Sequence, residues 1–595
     1  MPVLDAVGES RAPRAEPETG VATLPLVVAV TGHRALVPSE IETLRHRTRE
    51  LFRSLGERYP TNRLTIVSPL AEGADLLVAE VALEESLELI VPLPKPRDMY
   101  LADFTTEEAR RRFQTACEGA RDVFVLASDR PPAPEGVSNE VWEDQYPYAQ
   151  LGAYLSAHCH VLLALWDGQP SSHLGGTAQV IKFHLDEVMP GVTPATAATQ
   201  QVLVDDESDL VFHIVCSRTD RDDSPAPGLT PGACYWYTND ASRPRSPELP
   251  EQHEVIFART AEFGRDALRH VAEIEAESAS LVSGGEVDGL PPGINAIDRL
   301  FRCADWLAIH YQRKTLRALR AVHGLAFLMG LMFLLYSDFE SWRYFMIAFL
   351  AFFAVALGIH AIARRGGWHR KYIDYRTLAE GLRVQFYWAA AGVTSEMKWR
   401  FAHDAYLRSQ DPQCGWIRNV MRVAGFRCDA RPNEDPSGVA FAVREWVGDA
   451  ESGQLGYFRR KAHDRSRRHA LTEAIGYLSL WVSVGTVAAF VLIGSALPPG
   501  WSRALTVVMG TCLLIFAMRT GYASATAVEE LIRQYEFMLR IFGNAHRRLS
   551  GTDDIVQQRR ILSGLGQSAL DEHSDWLLMH RERLFAKSAV WRMSG

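Results

Sequence analysis

Residues 474–497 read AIGYLSLWVSVGTVAAFVLIGSAL and carry no charged side chain. A helix needs about 20 apolar residues to cross the hydrocarbon core of a bilayer, so this stretch is long enough to span a membrane. Three further runs are also apolar: 321–337, 344–363 and 504–518. The four runs predict an all-α membrane domain with four transmembrane helices. The alternative is a set of buried helices in a large soluble domain.

Basic residues flank each pair of apolar runs on one side. They are Arg313, Lys314, Arg317 and Arg320 before the first run, Arg364, Arg365, Arg370 and Lys371 after the second, and Arg459, Arg460, Lys461, Arg465, Arg467 and Arg468 before the third. Because positive flanks favour the cytoplasm, each pair is predicted to be a hairpin that enters and leaves on that side. Residues 1–22 contain no apolar segment typical of a signal peptide. We therefore expect a multi-pass protein of the cell (inner) membrane with cytoplasmic N- and C-termini.

The chain before the apolar runs alternates between strand and helix patterns. The apolar segments suited to buried strands are 26–30, 64–67, 87–91, 123–126, 160–166 and 211–216. Helical segments lie between them, which predicts a Rossmann-like α/β domain with a parallel sheet covered on both faces. Beyond it, residues 225–250 are rich in Pro and Ser and predict a long loop, and residues 251–282 predict one helix.

Turns that contain glycine or polar residues follow three of these strands. The candidate ligand-binding residues are Thr31, Gly32, His33 and Arg34 after the first strand, Glu72, Gly73, Ala74 and Asp75 after the second, and Asp167, Gly168, Gly175, Gly176 and Thr177 after the fifth. In open parallel sheets, ligands bind at the carboxyl ends of the strands. A helix N-terminus after Gly176 favours phosphate, Arg34 can neutralise it, and Asp75 can accept from a ribose hydroxyl. Each turn alone is often only a turn, but together they predict nucleotide or nucleotide-sugar binding.

These turns also carry a family resemblance. The motifs Thr31-Gly32-His33-Arg34, Leu70-Ala71-Glu72-Gly73-Ala74-Asp75, Ala164-Leu165-Trp166-Asp167-Gly168 and Gly175-Gly176-Thr177 resemble those of the SLOG superfamily. That Rossmann-like group includes the lonely-guy phosphoribohydrolases, DNA-processing protein A and the cytosolic sensor region of TRPM channels. The hairpins, with residues 561–583, resemble SLATT modules, which are two-span units associated with SLOG domains in bacterial nucleotide-signalled antiphage defence. The resemblance implies a nucleotide-derived or ADP-ribose-like ligand and no tightly bound cofactor.

One position departs from the lonely-guy enzymes. Those enzymes carry a catalytic glutamate three residues after the threonine of their glycine-rich motif, where this chain has Val180. The resemblance therefore implies a sensor that has lost hydrolysis, and no catalytic residue is assigned. Glu72 and Asp75 are the carboxylates that remain for the alternative, a membrane-anchored hydrolase of nucleotide or NAD-type glycosidic bonds.

The two hairpins also resemble each other. Tyr372 after the first hairpin corresponds to Tyr522 after the second, and the helices that follow are predicted over 372–391 and 522–549, which indicates a parallel repeat. The predicted organisation is a disordered tail (1–22), the nucleotide-binding domain (23–225), a linker and connecting helix (226–298), a first two-span unit (299–397), a cytosolic insertion (398–447) and a second two-span unit with C-terminal helices (448–595).

The net charge and the cysteine count exclude several other classes of protein. A net charge of −9 disfavours nucleic acid as a partner, and eight cysteines without a C-x-x-C pair indicate reduced thiols rather than a zinc site or a disulfide framework. The spans contain small and polar residues, among them Gly330, Ser483, Thr486, Thr506 and Thr511, that can line a pore or allow close helix packing. We expect a homo-oligomer in a lipid bilayer that senses a nucleotide and opens a pore. The alternatives are the hydrolase and a sensor scaffold that is only tethered to the membrane.

Overall fold

The computed structural model describes residues 24–127, 130–133, 138–171, 173–189, 209–220, 224–240, 243–282, 290–338, 343–393, 401–407, 412–493 and 498–581. The predicted tail 1–22 and the end of the third apolar run, 494–497, lie outside these residues. The chain forms two compact units. The first is Met1–Cys303 with Leu378–Val439, and the second is Ala304–Thr377 with Ala440–Gly595. Most of the predicted insertion 398–447 therefore folds with the α/β part of the chain.

The strands are β1 (Pro25–Gly32), β2 (Arg63–Val67), β3 (Glu88–Leu93), β4 (Asp122–Val125), β5 (Val161–Trp166), β6 (Val211–Val215) and β7 (Cys234–Tyr237). The helices of the first part of the chain are α1 (Ile41–Arg58), α2 (Ala74–Glu84), α3 (Arg97–Leu101), α4 (Glu107–Gly119), α5 (Asn139–Ala157), α6 (Thr177–Asp186), α7 (Glu251–Arg269) and α8 (Val271–Glu277). The remaining helices are α9 (Ile294–Asp338), α10 (Arg343–Arg365), α11 (Trp368–Ala391), α12 (Gly415–Ala430), α13 (Pro436–Ala442), α14 (Gly453–Ile493), α15 (Pro499–Ala525), α16 (Val528–Leu549) and α17 (Ile555–Arg581).

The first unit contains a seven-stranded sheet in the order β4-β3-β2-β1-β5-β6-β7. The six strands predicted from the sequence are present and parallel to one another, and β7 runs antiparallel to β6. Strand β1 lies in the middle, so its residues are buried almost throughout rather than in alternation. The chain extends the sheet from β1 towards β4 and then returns to the other side of β1 with β5. This reversal places β1 and β5 side by side.

Two predictions about the region after the parallel strands were wrong. Residues 225–250 are not only a loop, because the aromatic tetrapeptide Cys-Tyr-Trp-Tyr forms the edge strand β7. Residues 251–282 do not form one helix, because α7 ends at His270, which has an irregular backbone conformation, and α8 begins directly after it.

Helix α12, in the predicted insertion, is part of the core of the first unit. Its residues are buried on nearly every side, and Phe426 packs in the same apolar cluster as residues of β1, β5 and α5. The Tyr154 hydroxyl donates a hydrogen bond to the Phe426 carbonyl, and Gln385 in the later part of α11 donates to the Met421 carbonyl. These contacts make α12 a layer of the α/β unit.

Four helices, α9, α10, α14 and α15, each contain a stretch long and apolar enough to cross a membrane. Few residues of these stretches are buried: none in α10 and 17% in α14. Buried helices of a soluble domain would hide most of such residues. The low burial therefore favours the membrane interpretation over the soluble alternative.

The second unit supports the predicted repeat but changes its register. In each copy a long helix is followed by a second apolar helix, a tight break and a third helix. The breaks lie at Gly367 and Ala527, which both have a left-handed backbone with φ of +60° and +48°. The third helices begin at Trp368 and Val528, so the predicted helix from Tyr522 is interrupted and Tyr522 belongs to the helix before the break.

Small residues set the spacing of the four apolar helices. A Cβ on Gly330 of α9 would lie 2.5 Å from a methyl group of Leu514, and a Cβ on Gly510 of α15 would lie 2.6 Å from a methyl group of Leu334. This reciprocal arrangement packs the two helices closely and antiparallel. On α14, the Ser483 hydroxyl donates to the Met509 carbonyl of α15 at 3.2 Å. Within one chain, these residues serve helix packing.

We predict that Gly330→Val destabilises the membrane helices, because an added side chain overlaps Leu514. Overpacking of this kind costs about 1–3 kcal/mol. Thermal unfolding of the full chain in detergent should show a lower Tm, and Leu514→Ala should restore much of it by making room. Gly324→Val on the same helix is the matched control, since nothing lies within 4 Å of a Cβ at Gly324. Equal losses at both positions would contradict close packing at Gly330.

Candidate functional site

Most of the predicted site residues lie along one edge of the sheet, at the carboxyl ends of β1, β2 and β5. Gly32 at the end of β1 pairs in register with Leu165 of β5, and Asp167 follows β5 directly. The strand order reverses between β1 and β5, and ligands of open α/β sheets bind in the crevice outside such a reversal. The geometry therefore makes this edge the candidate site.

The loops after β1 and β2 touch each other through their backbones. A Cβ on Gly32 would overlap Ala74, and a Cβ on Gly73 would overlap the carbonyl oxygen of Arg34. Gly73 also has a φ of +96°, and the Ala74 N–H donates to the His33 carbonyl at 3.0 Å. Gly73 and Ala74 thus join two loops, and the Ala74 amide is not free to bind an anion as the sequence pattern suggests.

Asp75 lies beneath this junction rather than at its surface. Its side chain is 5% exposed, and Oδ1 has no hydrogen-bond partner among the described residues. Burial raises the pKa of Asp75 to about 8, although the Arg34 guanidinium and the Ala71 amide oppose the rise. A carboxyl with this pKa is largely protonated at neutral pH, so it can donate a hydrogen bond.

Tyr100, on α3 after β3, is the second buried polar group of this part of the site. Its hydroxyl is buried and has no hydrogen-bond partner among the described residues. Burial, together with the nearby Asp75 carboxyl, raises the pKa of Tyr100 well above its ordinary value. A buried polar atom without a hydrogen-bond partner is costly, and Asp75 Oδ1 and the Tyr100 hydroxyl are two such atoms.

An ionic and aromatic cluster forms the outer wall of the same region. The Arg34 guanidinium lies 5.5 Å from the ring centre of Tyr148, and Lys95 Nζ lies 4.8 Å from that ring. The Tyr148 hydroxyl donates to the Asp103 carboxylate, and Lys95 lies 3.6 Å from the same carboxylate. Two cations beside an aromatic ring suit an anionic ligand with a planar group.

The sequence pattern missed Lys95, Tyr100, Asp103 and Tyr148. They come from the segment after β3 and from α5, which are distant in sequence. Lys95 could have been recognised from the sequence, because it follows a buried strand in the same way as Arg34 follows β1. Tyr148 could not, because it lies in the middle of a helix.

His33 and Asp167 organise the turn after β5. Burial lowers the pKa of His33, although the Asp167 carboxylate, whose Oδ1 lies 3.1 Å from Nε2, opposes the change. Its Nε2 accepts a hydrogen bond from the Asp167 N–H at 3.1 Å. The Asp167 carboxylate accepts from the Gln169 N–H at 2.9 Å. Both side chains therefore stabilise the turn after β5 through these hydrogen bonds.

Helix α6 presents its N-terminus at this edge. Gly175 has a φ of +73°, and a Cβ there would lie 2.7 Å from backbone atoms of Tyr148 and Ala149 on α5. Gly176 precedes the helix without a capping side chain, and Gly176 and Thr177 are partly exposed. Because Tyr148 lies against both Gly175 and Arg34, the uncapped helix end and the Arg34 guanidinium lie on the same wall. An uncapped N-terminus with a nearby arginine favours an anion.

Two of the positions relevant to hydrolysis, Val180 and Glu72, make contacts within the chain. Val180 is 3% exposed, and its side chain fills the space above Gly152 of α5, so position 180 faces the core. Glu72 accepts hydrogen bonds from the Thr105 N–H at 2.9 Å and from its hydroxyl at 2.8 Å. Asp75 is thus the carboxyl of this region with the most perturbed environment.

No family or curated protein identifies the site. Comparison of the chain with models of known protein families and with curated proteins found no match. Among the described residues, no group of three or more His, Cys, Asp or Glu side chains is arranged to hold a metal ion. The function of the edge therefore has to be inferred from its geometry.

We predict that Asp75→Asn changes the pH dependence of stability. The folded protein binds the Asp75 proton more tightly than the unfolded chain does, so wild-type stability falls as pH rises from about 4 to about 8. Asparagine cannot ionise, so the Tm of the variant relative to wild type should increase between pH ~5.5 and pH ~8.5. Glu72→Gln, which removes a partly exposed carboxylate from the same loop, is the control. A difference between Asp75→Asn and wild type that is constant with pH would contradict the buried carboxyl.

Proposed function

We propose that the chain is a nucleotide-sensing membrane effector. The α/β unit binds a nucleotide-derived or ADP-ribose-like ligand at the carboxyl ends of β1, β2 and β5, and the four membrane helices, in a homo-oligomer, open a pore in response. The observation that carries the proposal is the reversal of strand order between β1 and β5, with Arg34 and the uncapped N-terminus of α6 at that edge.

The chemistry of the edge supports a phosphate-containing ligand with a polar ring. Arg34 and the α6 N-terminus supply positive potential for phosphate. Tyr148 supplies a face on which a base or ribose can lie. Asp75 Oδ1 and the Tyr100 hydroxyl, which lack partners among the described residues, lie behind this wall and suit a ligand that carries hydroxyl groups.

The membrane helices support an effector made of several chains. Within one chain, Ser483 and Gly330 lie at contacts between helices rather than along an open path. Large apolar side chains on α10 and α14 are exposed, with Leu350 at 59% and Leu478 at 66%. Lipid or neighbouring chains have to cover these faces, so a pore would form between chains.

The resemblance to SLOG and SLATT proteins supplies the signal class and the biological setting of the proposal. It leads us to propose a Rossmann-like SLOG sensor fused to SLATT-like hairpins, with a role in bacterial antiphage defence. The predicted orientation, with the sensor and both termini in the cytoplasm, follows from the basic flanks of the hairpins.

A second candidate function is hydrolysis of a nucleotide or NAD-type glycosidic bond. The observation that favours it is Asp75, because a buried carboxyl that stays protonated at neutral pH can act as a general acid towards a substrate that reaches it. Conversion of the nucleotide by the full chain, lost in Asp75→Asn and retained in Glu72→Gln, would establish this activity in place of simple sensing.

We predict that Arg34→Gln weakens binding of ADP-ribose-type nucleotides to the full chain in detergent. Loss of a charge-assisted hydrogen bond to phosphate should raise the Kd about tenfold, measured by calorimetric titration. Arg53→Gln is the control, because Arg53 is exposed on α1 and pairs with Glu85 at 3.0 Å. Equal affinity in Arg34→Gln and wild type, or no binding of any nucleotide to folded protein, would contradict the proposed site.

We predict a ligand-dependent leak when the full chain is reconstituted in liposomes that contain a fluorescent solute. Gating requires that the ligand bind the open state more tightly than the closed state. At a nucleotide concentration that saturates wild type, Arg34→Gln should leak less and Arg53→Gln should leak like wild type. Nucleotide binding without any leak would identify a sensor that is only tethered to the membrane.

A further inference from the structure

Arg519 on α15 carries a guanidinium that forms no ion pair with the part of the chain that the structure describes. It directly follows the apolar run 504–518. Its Nε and Nη2 atoms are buried and have no hydrogen-bond partner among the described residues. A guanidinium donates through five N–H groups and cannot lose its charge, so buried and unpaired nitrogens call for an anion from outside the chain.

Three helices meet around this side chain. A Cβ on the buried Gly476 of α14 would lie 3.2 Å from Arg519 Cδ, so glycine leaves the room that the arginine occupies. One turn further along α15, the Tyr522 hydroxyl lies 3.4 Å from Nε of Arg320 on α9. The Tyr522 ring also packs edge-on against His323 at 5.5 Å. Residues of α9, α14 and α15 therefore lie close to one another around Arg519 and Tyr522.

These residues lie at one level of the helix bundle. Arg320 directly precedes the first apolar run, and Arg519 directly follows the fourth. Helices α9 and α15 are antiparallel through the contacts of Gly330 and Gly510, so both arginines are at the end that carries the basic flanks. If the apolar runs fill the hydrocarbon core, this level is that of the lipid phosphates.

The adjacent surface favours a lipid over a soluble anion. Ile475, next to Gly476, is 50% exposed, and Leu478 on the same helix is 66% exposed. Apolar side chains beside a cation match a molecule that has an anionic headgroup and acyl chains. A free phosphate would use the arginine but would leave this apolar surface uncovered.

We propose that Arg519, lodged against Gly476 and flanked by Arg320 and Tyr522, binds the phosphate group of an anionic phospholipid. Arg519 as a whole is partly exposed, and its guanidinium donates N–H groups to the phosphate oxygens while acyl chains cover the exposed side of α14. This lipid site is separate from the nucleotide site and does not depend on the proposed sensing function.

The test is the thermal stability of the full chain in detergent with added phosphatidylglycerol, phosphatidylcholine or inorganic phosphate. Wild type should be stabilised most by phosphatidylglycerol and not by inorganic phosphate at the same concentration. Arg519→Gln should lose most of the phosphatidylglycerol shift. Arg503→Gln, at the exposed opposite end of α15, is the matched control and should keep the shift. A full shift in Arg519→Gln, or an equal shift with inorganic phosphate, would overturn the proposal.

Two milder variants keep the test decisive if Arg519→Gln does not fold. Arg519→Lys keeps the charge but loses the planar fork, and Gly476→Ala crowds the arginine without touching its charge. Native mass spectrometry should show phosphatidylglycerol binding about tenfold weaker in each, with a near-normal Tm in the absence of lipid. Unchanged lipid binding in both variants would show that the phosphate lies elsewhere.

Discussion

The candidate site depends on the contact between the loop after β1 and the start of α2, where backbones meet without an intervening side chain. Gly32 and Gly73 make this contact possible, and the Ala74 amide fixes it by donating to the His33 carbonyl. With α2 held in this position, Asp75 is carried under the junction and away from water. The raised pKa of Asp75 is thus a consequence of where two glycines stand, since burial is its main cause.

Glycine plays a similar role among the membrane helices, although the solvent is different. In lipid there is little hydrophobic gain from bringing helices together, so association relies on close packing. The reciprocal contacts of Gly330 and Gly510 supply it between α9 and α15, and Gly476 makes room for an arginine between α14 and α15. Both units are therefore organised around positions at which a methyl group would be too large.

The sequence was most informative where one residue pattern determines one element. Continuous apolar runs located six strands and four helices that are long and apolar enough to span a membrane, because neither kind of element needs an alternation of apolar and polar residues. It failed for β7, whose four residues are too few for a pattern. It also failed for α12, because Arg418 and Arg422 are typical of a surface helix but are buried here. At the site, sequence found the turns but missed Tyr100 and Tyr148, which tertiary packing brings there.

The two copies of the repeat differ in the residue that forms the break before their third helix. The first turns at Gly367, for which a left-handed backbone is nearly free of cost, whereas the second turns at Ala527, for which it costs about 1–2 kcal/mol. A strained backbone of this kind persists only where the surrounding structure compensates its cost. The two copies of the repeat therefore differ in the conformational cost of the turn that joins their second and third helices.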